Sequence, residues 1–280
     1  MNIKELIIRI TKANGTISPI TKEFICNSDN GFRCQVEIEK GGLPSKNFCN
    51  ISIFGVSQET AENFTSTVFL PLTYDVRNTV EVIYENATIF KGTYIKCVGN
   101  YSSFPDISLD LTAYFGYETA ISPTKTTSIA EGYPVVSAVS DLAKLMGYQI
   151  INNYNLTNKC PQIELFGTNF DKLQQLEKAC KLNIIATDGY IGIAPVNKPV
   201  FNTPIEINAG TGMIGYPSFT SDGLNFKTLF NPLLRNGGLA NVKTIVPKAS
   251  GIWYVASIYT KLSTLENGVW ETEASCYVNS

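Results

Sequence analysis

The side chains best placed for chemistry are four carboxylates beside aromatic residues. They are Asp106 in YSSFPD, Glu118 in YFGYETA, and Glu271 and Glu273 in VWETEAS. Two facing carboxylates can hydrolyse a glycosidic bond, one as acid and the other as base or nucleophile. Acids alternating with apolar residues are equally the solvated face of a strand, and Asp106 after Pro105 suits a turn. Trp253 and Trp270 would serve a sugar-stacking platform or a core. The chain has no histidine, which removes Ser-His-Asp and Cys-His nucleophile systems and most zinc, iron and copper sites. The cysteines form no C-x-x-C pair. Cys26 and Cys34 could meet across a hairpin, where free small hydrophobes are the simpler reading. TDGYIG has the glycines of a phosphate loop but reads more simply as a hairpin. The expectation is a protein without catalysis, cofactor or metal.

Composition narrows the class. In 280 residues, 44% are apolar and only 16% charged, against roughly 25% charged in an average soluble protein. Asn, Thr and Ser fill the gap, a mix suited to turn-rich β-structure. The net charge of −2 comes from 22 basic and 24 acidic residues without long runs, so a duplex-DNA reader is disfavoured. Lys4, Glu5, Arg9 and Lys12 interrupt any apolar leader, and no window is apolar enough for a membrane span. Seven irregularly spaced cysteines fit reduced thiols, and the sequons at Asn50, Asn63, Asn86, Asn100 and Asn155 then follow from composition alone.

The elements that would position these residues fall into three pieces. Residues 1–125 carry period-2 segments such as RCQVEIEK, with Cys34, Val36 and Ile38 on one face. SQETAENFTS reads there as a short helix capped by Ser57. Residues 126–199 change grammar to a small α/β module. PVVSAVSDLAKLMG and TNFDKLQQLEKACKL are helices, the second with Lys172, Gln175, Glu177 and Lys178 outward, and Asp188-Gly189 predicts a type I′ hairpin. Pro195 and Pro199 bracket a linker. Residues 200–280 return to strands, with turns at Ser221-Asp222-Gly223 and Glu266-Asn267-Gly268. The expected class is mainly β, with two antiparallel barrel or sandwich domains around a small α/β insert.

The stretch INAGTGMIGYPSFTSDGLNFKTLFNPLLRNGGLANVKT, 207–244, resembles the second β domain of baseplate hub proteins from contractile-tailed bacteriophages. There a G-x-x-G-x-P strand leads through a turn to an aliphatic strand, an N-P-x-L corner and another strand. CNISIFGVSQET, RNTVEVIYENATIFKGTYIKC and SFPDISLDLTAYFGYE are similar to stretches of the first domain. The resemblance implies tail-tube-like barrels and a homotrimer whose pseudo-sixfold ring joins the sixfold tail tube to the threefold central spike. Tail tube, spike, tape measure and baseplate wedge proteins would be its partners. DNA would be only transient cargo in the lumen, and no membrane would be involved. Its place would be the virion baseplate, after assembly in the host cytoplasm. The residues singled out are then turn formers: Asp222 and Gly223 setting hairpin register, Asn231 and Pro232 ending a strand, Gly237 and Gly238 turning the chain into the next. Sheet edges would be paired or covered across subunits.

Two other classes stand beside this one. A carboxylate hydrolase would lose turnover on replacing Asp106, Glu118, Glu271 or Glu273. A tail-associated carbohydrate- or receptor-binding module would bind glycans at Trp253 or Trp270.

Overall fold

The computed structural model describes residues 4–14, 17–42, 47–65, 78–117, 119 and 123–278. The chain divides into two compact units: Met1–Glu39, Asn47–Tyr117 and Tyr259–Glu271 form one, and Lys40–Lys46, Glu118–Ile258 and Thr272–Ser280 the other. Residues 259–271 thus join the first unit, although the sequence pattern runs 200–280 as one β piece.

In the first unit, period-2 patterning builds β1 (Leu6–Asn14), β2 (Ile17–Cys26), β3 (Arg33–Lys40), β4 (Phe48–Phe54), β5 (Thr79–Tyr84), β6 (Ala87–Asn100) and β7 (Ser108–Tyr114). They pair in the order β3-β4-β7-β6-β5-β1-β2, every pair antiparallel. The end strands of this path meet at one corner. Asn27 Oδ1 accepts the N–H groups of Asp29, Asn30 and Gly31, and Phe32 bridges back to Cys26. Gly31 is required there, because a Cβ would sit 2.5 Å from the Ile25 carbonyl oxygen. The sheet therefore rolls upon itself around Ile8, Phe24, Val36, Ile53, Val82 and Leu109, all fully or almost fully buried.

Helix α1 (Gln58–Phe64) follows β4 as its cap predicts, with Ser57 Oγ accepting the Thr60 N–H and Phe64 packing edge-on against Phe24. On the outer face, Arg9, Glu81 and Lys91 stand in register on β1, β5 and β6. Glu81 bonds both cations, at 2.8 Å to Arg9 and 2.7 Å to Lys91. Burial pushes the Glu81 carboxyl up, but those two partners outweigh it and hold it below the usual range.

One core group breaks the rule that buried polar atoms find partners. Tyr94 is 1% exposed, and its hydroxyl has no hydrogen-bond partner among the described residues. Burying an unpaired hydroxyl costs on the order of 1–3 kcal/mol. Tyr94→Phe should accordingly raise stability by about 1 kcal/mol, read as a higher urea midpoint with unchanged m-value. A lower midpoint would show that the hydroxyl has a partner.

The second unit opens with a two-stranded sheet, β8 (Thr127–Ile129) with β10 (Ile163–Leu165). Helix α2 (Val135–Leu145) buries Val135, Val139 and Leu142 and ends before Gly147 at φ 72°. Strand β9 (Gln149–Asn152) runs parallel to β12 (Tyr190–Pro195), which forms a hairpin with β11 (Leu182–Thr187). Its turn residues Asp188 and Gly189 have φ 46° and 86°, as the type I′ signal predicts.

Helix α3 (Asn169–Cys180) is held by a capping box between Thr168 and Asp171. Its polar face differs from expectation. Lys172 is 1% exposed, with Nζ bonded to the Lys125 carbonyl and Thr127 Oγ1, and Glu177 accepts the Ile184 N–H. Both turn inward because backbone groups of neighbouring segments need partners.

The span between Pro195 and Pro199 is pinned rather than loose. Asn183 bonds the Lys198 carbonyl, Tyr154 that of Pro199 and Asn153 that of Val200, whose side chain is fully buried. Beyond it come β13 (Pro204–Ile207), β14 (Met213–Phe219), β15 (Gly223–Leu229), β16 (Leu239–Val242), β17 (Gly251–Ser263) and β18 (Trp270–Val278). In this unit the order is β14-β15-β18-β17-β16-β13. The β13–β16 pair is parallel, an exception to the antiparallel expectation. It arises because the β14–β15 hairpin and the corner after it intervene before β16. Phe226, Leu234, Val242, Trp253 and Val255 form the core here.

Candidate functional site

The expected turn residues lie at two separate strand junctions. At the first, Thr220 N–H donates to the Gly223 carbonyl at 2.9 Å, and Gly223 N–H donates to Thr220 Oγ1 at 3.0 Å. Asp222 is exposed in this turn. Gly223 is not there for a left-handed conformation. A Cβ on it would lie 1.9 Å from the Cys276 carbonyl oxygen, so glycine allows β15 to approach β18.

The second junction is the corner after β15. Strand β15 stops at Leu229, and Asn231 makes an Asx turn in which Oδ1 accepts the Leu233 N–H. Pro232 follows inside that turn. Gly237, at φ 78°, donates its N–H to the Val255 carbonyl and accepts the Phe201 N–H. Gly238 accepts the Val255 N–H. A side chain at 237 would also strike Ile185 Cδ1, 2.0 Å from the Cβ position. The corner is therefore bonded to β17 on one side and to the pinned segment on the other.

Between these junctions lies a surface that sequence patterning did not reveal. Strand β14 ends its sheet path, with Gly215 at φ 70° and Pro217 inside it and a register shift between Ile214 and Ser218. Glycine and proline in a strand mark an edge. Tyr216 is 69% exposed, Phe219 52%, Leu229 54% and Leu233 63%. These large apolar residues are exposed along the edge strand, its neighbour and the corner that follows. The Gly-Tyr-Pro interruption was the available sign; which strand ends the sheet is set by long-range pairing.

The residues singled out for chemistry lie apart along the chain in these surroundings. Asp106 pairs with Arg33 at 2.8 Å, Glu273 lies 3.8 Å from Lys227, and Glu118 falls outside the described residues. Glu271 is half-buried on β18. Trp253 and Trp270 are 8% and 6% exposed, with indole N–H groups bonded to the Ala249 and Ser263 carbonyls. Neither ring offers a face to a sugar. Lys22 donates to Thr60 Oγ1 at 2.7 Å and Lys172 to Thr127 Oγ1 at 3.0 Å, and Lys172 is buried and also bonded to a backbone carbonyl. Burial lowers its pKa from the ordinary lysine value. Cys26 and Cys34 are free and buried, and Cys26 Sγ–H donates to the Phe24 carbonyl at 3.6 Å. Among the described residues, no cluster of three or more His, Cys, Asp or Glu side chains could hold a metal ion. No helix there is long and apolar enough to cross a membrane.

The sequence matches the baseplate hub gp41 family over residues 20–267. The chain belongs to that family. Among solved structures it is similar to the 43 kDa tail protein of prophage MuSo2 from Shewanella oneidensis. That likeness has a TM-score of 0.64 at 11% identity, covering 98% of this chain and 97% of that one. A tail protein from Neisseria meningitidis MC58 gives 0.63 at 12% identity, with 96% of each chain covered. The E. coli c3393 protein, a type VI secretion component, gives 0.58 at 10%, covering 89% of this chain and 74% of that one. At such identities the likeness is one of fold. No curated protein matches the sequence. Membership in the hub family makes the chain a structural protein of the phage baseplate.

Proposed function

We propose that the protein is the hub subunit of a contractile tail. Three copies form a ring that joins the sixfold tail tube to the threefold central spike and leaves a channel for DNA. The observation that carries this reading is the family match over 20–267. The exposed apolar edge at β14 and β15 supports it, since ring closure needs each subunit to offer an edge its neighbour covers. In this reading residues 1–125 and 200–280 supply the tube-like β domains and 126–199 the insert. Asp222, Gly223, Asn231, Pro232, Gly237 and Gly238 hold the edge and corner in shape. The subunit assembles in the host cytoplasm and ends in the virion. It meets tail tube, spike, tape measure and wedge proteins, and DNA only in transit. A glycan-binding module has less support, because both tryptophans are buried.

Negative-stain imaging of the purified chain, alone and mixed with its spike protein, tests the ring. Threefold particles with a central hole are the expected result. Particles without threefold symmetry in both samples would contradict it.

A further inference from the structure

Cys160 and Cys180 bring two thiols together in the second unit. The Cys180 Sγ–H points at Cys160 Sγ across 3.8 Å, and both cysteines are free. Each sits on backbone fixed by its neighbours. Cys160 N–H donates to the Tyr133 carbonyl at 2.8 Å, and its own carbonyl accepts the Gly132 N–H at 3.0 Å. Cys180 is the last residue of α3, whose cap Lys181 is left-handed and donates to the Glu177 carbonyl. A disulfide requires sulfurs about 2.05 Å apart, so these must approach by about 1.8 Å. Both are buried, Cys180 at 9% exposed and Cys160 at 2%, whereas Cys26 and Cys34 are both 0% exposed.

We propose that Cys160 and Cys180 form a redox couple, closing to a disulfide that ties the end of α3 to the segment between β9 and β10. The chemistry stands apart from the hub reading; only its timing rests on that reading. A hub subunit would fold reduced inside the host and meet oxidant after the particle is released, where disulfides persist.

With a peroxide as oxidant the step balances. The Cys180 thiolate attacks one peroxide oxygen and the O–O bond breaks, giving a Cys180 sulfenic acid and, after protonation, water. Cys160 sulfur then attacks the sulfenic sulfur. The S–S bond forms, the S–O bond breaks, and the departing hydroxide takes the Cys160 proton as a second water. Two thiols lose two electrons and the peroxide gains them. Burial pushes the Cys160 thiol up to about 12 and raises that of Cys180, so closure is slow at neutral pH and accelerates as pH rises.

The test treats the purified full-length protein with hydrogen peroxide at pH 7 and pH 9, alkylates remaining thiols, and maps linked peptides by mass spectrometry. The expected result is a loss of about 2 Da assigned to one Cys160–Cys180 link, formed faster at pH 9. A melting temperature about 5 °C higher, reversed by dithiothreitol, should accompany it. Cys180→Ser and, independently, Cys160→Ala should each abolish the link, while Cys26→Ser leaves it intact. Over-oxidation of Cys180 without linkage, or a link mapped instead to Cys26 and Cys34, would overturn the proposal. Oligomeric mass measured with the spike protein added is a separate readout: a monomer that forms the link contradicts the hub reading alone, and an unlinked trimer contradicts the redox couple alone.

Discussion

Gly223→Ala will unseat the β14–β15 hairpin and lower the stability of the second unit by about 3 kcal/mol or more. The reason is geometric. A methyl at 223 would stand 1.9 Å from the Cys276 carbonyl oxygen, with the Cys276 carbonyl carbon and Tyr277 Cα at 2.9 and 3.0 Å. These are backbone atoms within a sheet, and no side-chain rotation relieves them. Strand β15 must move away from β18, which separates Leu224 and Phe226 from the core they share with Ala274 and Cys276. A melting temperature lower by about 6–12 °C is expected, together with faster amide exchange across 213–229. Asp222→Ala, at the exposed neighbour, should stay within about 0.5 kcal/mol of the parent. Equal melting of Gly223→Ala and the parent would show that the close approach does not exist.

The second large effect concerns a charge pair inside the second unit. The Lys40 ammonium is bonded to the Asp188 carboxylate, with side chains only 10% and 17% exposed. Asp188→Asn keeps a residue that tolerates the left-handed turn and removes one charge bonded to Lys40. The expected loss is about 2 kcal/mol, because a largely buried ammonium gives up one carboxylate partner. Lys40→Met in the same chain should restore most of it, since an apolar side chain of similar length needs no counter-ion. Urea unfolding of the two single variants and the double variant measures the coupling. Additive losses would contradict the buried-pair account.

Local chemistry was legible in the sequence where neighbours along the chain decide the outcome. The alternation in RCQVEIEK placed Cys34, Val36 and Ile38 inward, Ser57 capped α1, and Asp188-Gly189 turned the β11–β12 hairpin. What stayed hidden depends on residues distant in sequence. Gly223 reads locally as a turn residue, yet its decisive neighbour is Cys276. Lys172 sits on the polar side of α3 by periodicity, yet the Lys125 carbonyl draws it inward. The two tryptophans look available in a linear reading and are buried by strands from elsewhere. The exposed apolar residues of β14 and β15 escaped for the same reason: period 2 tells which side chains share a face, but the strand order tells which strand is left at an edge.

The mass of the purified chain in solution, measured by light scattering across a concentration series with its spike protein absent and then present, tests the central claim most directly. The hub account predicts a particle of three times 30.7 kDa in at least the second condition, with a spike trimer added to it. A chain that remains at 30.7 kDa in both would contradict it.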